Sequence, residues 1–137
     1  SACSESFDFL GYTISQYRGR MTGKAYIGTL PSRKSTSAIC REITDCTSRR
    51  TLWKDLPELV SEINRTLVGW ANYFSLGAVD RSYRRIDQHV RYRLRRWLRK
   101  KHKVRTSVYR RWPDVFLEGV GLVNLVERRR SLSCANA

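Results

Sequence analysis

The sequence predicts a mainly α fold: an N-terminal β-hairpin, then three packed helices, then an irregular C-terminal extension. Three observations predict it. β-Formers are concentrated in residues 7–14 and 25–30, just before Pro31. Apolar residues then recur at helical spacing through three successive stretches between residues 35 and 105. Beyond residue 105 that periodicity stops, and Pro113, Gly119 and Gly121 break up what remains.

The elements follow in order. Ser1 to Ser6 are small and polar, as expected of a frayed end. Phe7, Phe9, Gly11 and Thr13 alternate with Asp8, Leu10, Tyr12 and Ile14, a strand pattern in which Gly11 marks a bulge or a close backbone approach. Residues 17–24 are loop-like, and Ala25–Leu30 returns as the second strand of the hairpin. Two strands alone are marginal in water, so helices or further strands must cover them.

Ser35, Thr36 and Ser37 are candidate caps for a first helix with a thin apolar line of Ile39, Ile43 and Cys46 or Thr47. A second helix starts where Asp55 can cap, Pro57 fits the first turn and Glu58 follows. Leu56, Leu59, Val60, Ile63, Leu67, Trp70 and Phe74 lie on one face, and Gly77 is the expected C-cap. Inside it sits Gly69, a residue that costs a helix interior about 1 kcal/mol relative to alanine. Either a neighbouring helix or Trp70 comes close there, or a backbone or an RNA phosphate approaches. Trp70, Tyr73 and Phe74 read as core more than as base-stacking surfaces, with Tyr73 the one off the apolar stripe. A third helix starts near Asp80, a candidate cap, and buries Tyr83, Ile86, Val90, Leu94, Trp97 and Leu98. Asp114–Leu125 reads as a short helix and an extended piece, and the polar tail from Glu127 reads as mobile.

Charge narrows the function. The 137 residues carry 27 Lys and Arg against 12 Asp and Glu, a formal net charge of +15. Such an excess favours an anionic partner, nucleic acid or an acidic membrane surface. The cations crowd the third helix, where Asp87 is the only acid between Arg81 and Arg111. Arginine outnumbers lysine there, which suits bidentate phosphate contacts. The candidate RNA-binding residues are Arg81, Arg84, Arg85, Arg91, Arg95, Arg96, Arg99, Lys100, Lys101 and Lys103, with His89 and His102 phosphate-facing or solvated. A membrane-surface role fits less well, because the basic helix has too little exposed apolar area.

Several chemistries lack their residues. No glycine-rich phosphate loop followed by Lys-Ser/Thr is present, no acidic pair sits in a metal-binding context, and no Ser/His/Asp or Cys/His constellation stands out. The four cysteines form no CxxC pair, so no zinc site is predicted, and they read as free thiols in a reducing compartment. No apolar run approaches membrane-span length and no secretion signal is visible. The start at Ser1-Ala2-Cys3, without methionine, is expected of a piece of a longer chain.

Two segments carry a family resemblance. Phe7-Asp8-Phe9-Leu10-Gly11-Tyr12 resembles the F-x-F-L-G-Y segment that closes the polymerase region of group II intron reverse transcriptases. Leu67-Val68-Gly69-Trp70-Ala71-Asn72-Tyr73-Phe74 resembles the L-(R/K)-G-W-x-N-Y-F centre of their maturase-specific domain, domain X or the thumb. Val68 stands where that family usually has arginine or lysine. Pro31-Ser32-Arg33-Lys34 matches in order, and Gly119–Leu125 is similar to the GL-x-x-L close of many bacterial members.

The resemblance implies a division into an end-of-palm hairpin (1–34), a thumb-like three-helix domain (35–105) and a C-terminal extension and tail (106–137). Phe9, Leu10, Gly11 and Tyr12 would be primer-grip-like, and Leu67, Gly69, Trp70, Asn72, Tyr73 and Phe74 would form the domain X motif. The implied partners are group II intron RNA, a template–primer duplex of RNA and DNA, and the palm and fingers. The Tyr-Ala-Asp-Asp-type carboxylates of the family's palm have no match here, so the chain is not expected to be an enzyme by itself. No cofactor is expected either, Mg²⁺ belonging to the palm. The implied location is the cytoplasm of a bacterium, near the nucleoid, or an organelle. The residues alone leave two other readings open: a free-standing basic nucleic-acid-binding module, and an inactive remnant of a truncated element.

Overall fold

The computed structural model describes residues 6–18, 25–77 and 79–135. Residues 1–5 of the frayed end expected at 1–6, residues 19–24 of the loop expected at 17–24, and the last two residues of the tail lie outside them, whereas Ser6, Tyr17 and Arg18 belong to strands. The mainly α class holds, with an antiparallel sheet at the N-terminal side. Strands β1 (Ser6–Phe9), β2 (Tyr12–Arg18) and β3 (Ala25–Pro31) form the sheet in sequence order.

The sheet therefore has one strand more than the predicted hairpin. The alternating run from Phe7 to Ile14 is folded back on itself, with Phe9 opposite Tyr12 and Phe7 opposite Ile14. Leu10 (φ 51°) and Gly11 (φ 86°) make the two-residue turn. Both central residues of this tight hairpin turn sit at positive φ, a conformation that suits the right-handed twist of the flanking strands. Leucine is an uncommon occupant of that position.

Helix α1 (Arg33–Cys46) starts before the expected Ser35–Ser37 caps, because the Ser32 side chain accepts the Ser35 N–H at 3.1 Å. A 3₁₀ turn (Arg49–Thr51) follows. Helix α2 (Leu56–Tyr73) has proline in its first turn as expected, while Asp55 makes no side-chain cap bond. It ends at Tyr73, four residues ahead of the expected glycine. Tyr83 donates its hydroxyl to the carbonyls of Ala71 (3.0 Å) and Phe74 (2.6 Å), satisfying the open end of α2. Gly77 serves the link to α3 instead: at φ +81°, an added Cβ would lie 2.0 Å from the Thr29 carbonyl oxygen of β3.

Helix α3 (Asp80–His102) runs 23 residues through the centre of the core. Asp80 lies within its first turn rather than capping it, paired with Arg129 at 2.8 Å. Ile39 and Ile43 of α1, Leu59, Ile63 and Leu67 of α2, and Ile86, Val90, Leu94, Trp97 and Leu98 of α3 are buried together. This is the three-helix packing that the apolar lines predict.

The C-terminal part is more ordered than the irregular extension expected from sequence. It folds as α4 (Val108–Arg111), α5 (Asp114–Gly119) and α6 (Leu125–Ala135), and Trp112, Leu117, Leu122 and Leu125 join the same core. The polar stretch from Glu127 is thus helical. Its N-terminus is capped from another element: the buried Asp87 carboxylate of α3 accepts the Leu125 N–H at 3.0 Å and the Val126 N–H at 3.4 Å. Asn124 accepts the Glu127 N–H at 3.1 Å, and Asn64 of α2 holds the preceding segment through the Gly121 carbonyl and the Val123 N–H. No described helix is long and apolar enough to cross a membrane.

Candidate nucleic-acid interface

The chain between the two motif segments, residues 13–66, folds so that the segments meet. Tyr12 donates its hydroxyl to the Tyr73 carbonyl, and Tyr73 donates its own to the Leu10 carbonyl at 2.8 Å. The Gly11 carbonyl accepts from the Ser32 N–H and the Ser35 hydroxyl, both at 2.8 Å. Phe74 packs against Tyr12 (5.0 Å between ring centroids) and Trp70 (4.6 Å). An added Cβ on Gly11 would lie 2.9 Å from Phe74, so the close backbone approach expected at Gly11 is real. Leu67 is core, Phe74 is buried, Trp70 is half-buried, and Asn72 accepts from Arg128 of α6 at 2.8 Å. The predominantly structural reading of this aromatic group fits. Around the turn, Phe9, Leu10 and Tyr73 remain exposed while Tyr12 is buried.

Gly69 corrects one expectation. An added Cβ there would meet nothing within 4 Å beyond its chain neighbours, so no neighbouring helix needs the missing side chain. The outer surface of α2 is open at this point.

The ten candidate cations separate into two groups. Arg95 is buried at 6% exposure. Its Nε donates to the Trp112 carbonyl at 2.9 Å, and its guanidinium pairs with Asp114 at 2.5 Å and lies over the Tyr109 ring at 4.7 Å. Arg91, half-buried, pairs with the same carboxylate at 3.3 Å. The hydrogen bond from Arg95 holds the Asp114 carboxyl below its usual pKa range. Lys101 donates to the carbonyls of Leu52 (2.7 Å) and Lys54 (2.6 Å), fastening the 3₁₀ turn to α3. Arg95 and Lys101 are thus removed from the phosphate-contacting set, because fixed internal acceptors already use their donors. Arg93 is similarly engaged with Thr44 and Thr47 of α1.

His89 is also corrected. Its Nε2 lies 3.0 Å from the Cys40 carbonyl and 3.1 Å from the Thr44 hydroxyl, packed against α1 rather than turned to phosphate or solvent. Burial, countered only partly by the Cys40 bond, pushes its pKa down.

The remaining candidates Arg81, Arg84, Arg85, Arg96, Arg99, Lys100 and Lys103 are exposed. Arg85 lines a shallow depression with His89 and Arg41. Arg96, Arg99, Lys100 and Lys103 converge. Lys103, at φ 52°, ends α3 in a left-handed turn, and the chain doubles back through Val104 and Arg105 to α4. The bend encloses an open groove of about 830 Å³. Its cations are Arg96, Arg99, Lys100, Lys103, Arg105 and, from the 3₁₀ turn, Arg49, together with the internally paired Arg95. Leu52, Val104 and Val108 supply apolar surface, and Tyr92 and Tyr109 supply aromatic walls. No acid lines it. The Arg96 guanidinium donates to the Tyr92 hydroxyl at 2.9 Å, which lowers that phenol's pKa.

Sequence reasoning did not place Arg49, Tyr92, Arg105 and Tyr109 among the site residues. Tyr92 could have been noticed, since it lies off the apolar line of α3 and four residues before Arg96. Arg49 and Tyr109 carry no such local signal. Among the described residues no group of three or more His, Cys, Asp or Glu could hold a metal ion, and Cys40 and Cys46 are free thiols whose pKa values burial raises.

Fold and groove together define a compact helical domain with a cationic, aromatic-walled surface suited to a polyanion. The family model for the group II intron maturase-specific domain matches residues 36–113, more than half of the chain. The chain therefore belongs to that family, and its role is a group II intron maturase-related one, in a domain that is not the catalytic part of such reverse transcriptases. A search of curated proteins finds no match.

Proposed function

We propose that the chain binds group II intron RNA through the groove between the end of α3, the 3₁₀ turn and α4, and assists folding of the intron for splicing. In a protein that also carries palm and fingers, the same domain acts as the thumb and grips the template–primer duplex. The exposed Phe9 and Leu10 at the β1–β2 turn then face that duplex or the palm. The observation that carries the reading is convergence: six cations from α3, the link that follows it and the 3₁₀ turn meet at one groove, with no acid among the described residues that line it. Like charges held this close repel one another, and a polyanion relieves that cost. The exposed Arg81, Arg84 and Arg85 extend the binding surface along the rest of α3.

The test is a salt titration of binding to a group II intron transcript, measured by filter binding or anisotropy. Arg96→Gln, Arg99→Gln and Lys103→Gln together are expected to weaken binding and to reduce the slope of log K against log salt by about 2–3, roughly one for each phosphate no longer neutralised. Unchanged affinity with an unchanged slope refutes the assignment. Equal affinity for unrelated RNA and DNA favours a general nucleic-acid-binding module instead.

A further inference from the structure

We infer that the groove receives an unpaired nucleotide, its base stacked on tyrosine and its phosphates held by the surrounding arginines and lysines. This rests on the RNA-binding reading above and specifies which part of an RNA enters. A regular duplex presents phosphates along a convex backbone, and a flat cationic helix face would serve it. The groove differs from such a face in three respects. It is concave, and its volume of about 830 Å³ falls within the roughly 300–1,000 Å³ of small-molecule sites. Its interior is apolar where Leu52, Val104 and Val108 line it, while the charges stand around them. Two tyrosines border it with much of their surface in solvent: Tyr92 is 48% and Tyr109 62% exposed.

The tyrosines are also held in place. Arg95 lies over the Tyr109 ring and is itself fixed by the Trp112 carbonyl and Asp114, so that ring is set against a rigid backing with its remaining surface open. Arg96 ties the Tyr92 hydroxyl. An aromatic ring fixed this way loses little freedom when a base stacks on it, and stacking tolerates any base because every base has a π-face. Unpaired bases in loops and bulges are the parts of an RNA that can be splayed out to reach such a ring.

The experiment uses two RNAs, a hairpin carrying a single-nucleotide bulge and its fully paired counterpart, with 2-aminopurine at the bulge. The full chain is expected to bind the bulged RNA more tightly and to quench the 2-aminopurine fluorescence. Tyr109→Leu is expected to weaken binding of the bulged RNA about 5- to 100-fold, with little change for the paired one, while Tyr109→Phe keeps both the affinity and the quenching. Tyr92→Leu repeats the comparison at a residue in the middle of α3, should Tyr109→Leu disturb the fold. Equal binding of both RNAs, without quenching, overturns the inference and leaves the RNA-binding reading standing. Failure to bind either RNA overturns both.

Discussion

Gly69 offers the most direct test of how the surface of α2 is built. It is the fourteenth residue of the 18-residue helix, exposed and without a positive φ, and an added Cβ would have nothing within 4 Å. Gly69→Ala therefore introduces no clash. It removes the excess backbone freedom that glycine has in the unfolded chain and that a helix must suppress. The expected gain is about 0.5–1 kcal/mol. With a urea m-value of about 2 kcal/mol/M, the denaturation midpoint should rise by roughly 0.3–0.5 M at unchanged m. Circular dichroism at 222 nm during urea titration measures this. A lower midpoint would refute the reasoning, since it would mean that the folded chain uses the missing side chain after all. Measuring RNA affinity on the same variant separates two roles. If an RNA backbone approaches α2 at Gly69, the alanine variant binds less tightly although it folds more stably; if not, affinity is unchanged.

Two further predictions concern the groups that α3 commits to its neighbours. Asp87→Ala removes the acceptor for the Leu125 and Val126 N–H groups and should cost about 1–2 kcal/mol. Hydrogen exchange should accelerate at residues 125–135 well before α2 responds, and unchanged protection in α6 would count against the capping role. His89 has a folded pKa pushed below its ordinary value of 6.5, so the unfolded chain takes up the proton more readily. The stability that neutral His89 contributes is therefore present above pH 6.5 and is lost as pH falls from there toward the depressed folded value. Thermal midpoints at pH 7.5 and 5.5 should show that loss, and His89→Gln should reduce it; an equal loss in the variant would exclude His89 as its source.

What could be read from the sequence was set by local patterns. The apolar lines of α2 and α3 locate the core because a helix has only one way to put residues three and four apart on one side. The second helix start was visible in Pro57, whose fixed φ suits a first turn. The Leu10–Gly11 reversal was hidden because alternation runs on unbroken through it, and leucine at φ 51° gives no warning. Helix α6 was hidden for another reason: its cap comes from Asp87, 38 residues back in the chain. Arg95 and Arg96 are chemically identical neighbours, and only the position of Trp112 and Asp114 decides that one is enclosed and the other exposed. The groove depends on the same long-range placement, since Arg49 and Tyr109 come to it from either side of α2 and α3 in sequence.

The interlock of the β1–β2 turn with the end of α2 has a consequence for how this protein can change over generations. Phe74 fills the space against Gly11 where a Cβ would lie at 2.9 Å, and the Tyr73 hydroxyl is spent on Leu10. A substitution on one side therefore alters which residues are acceptable on the other, and pairs of changes here will be strongly non-additive. The two segments, some sixty positions apart, are thereby tied into a single epistatic unit, whereas the exposed cations at the far end of α3 take no part in that interlock.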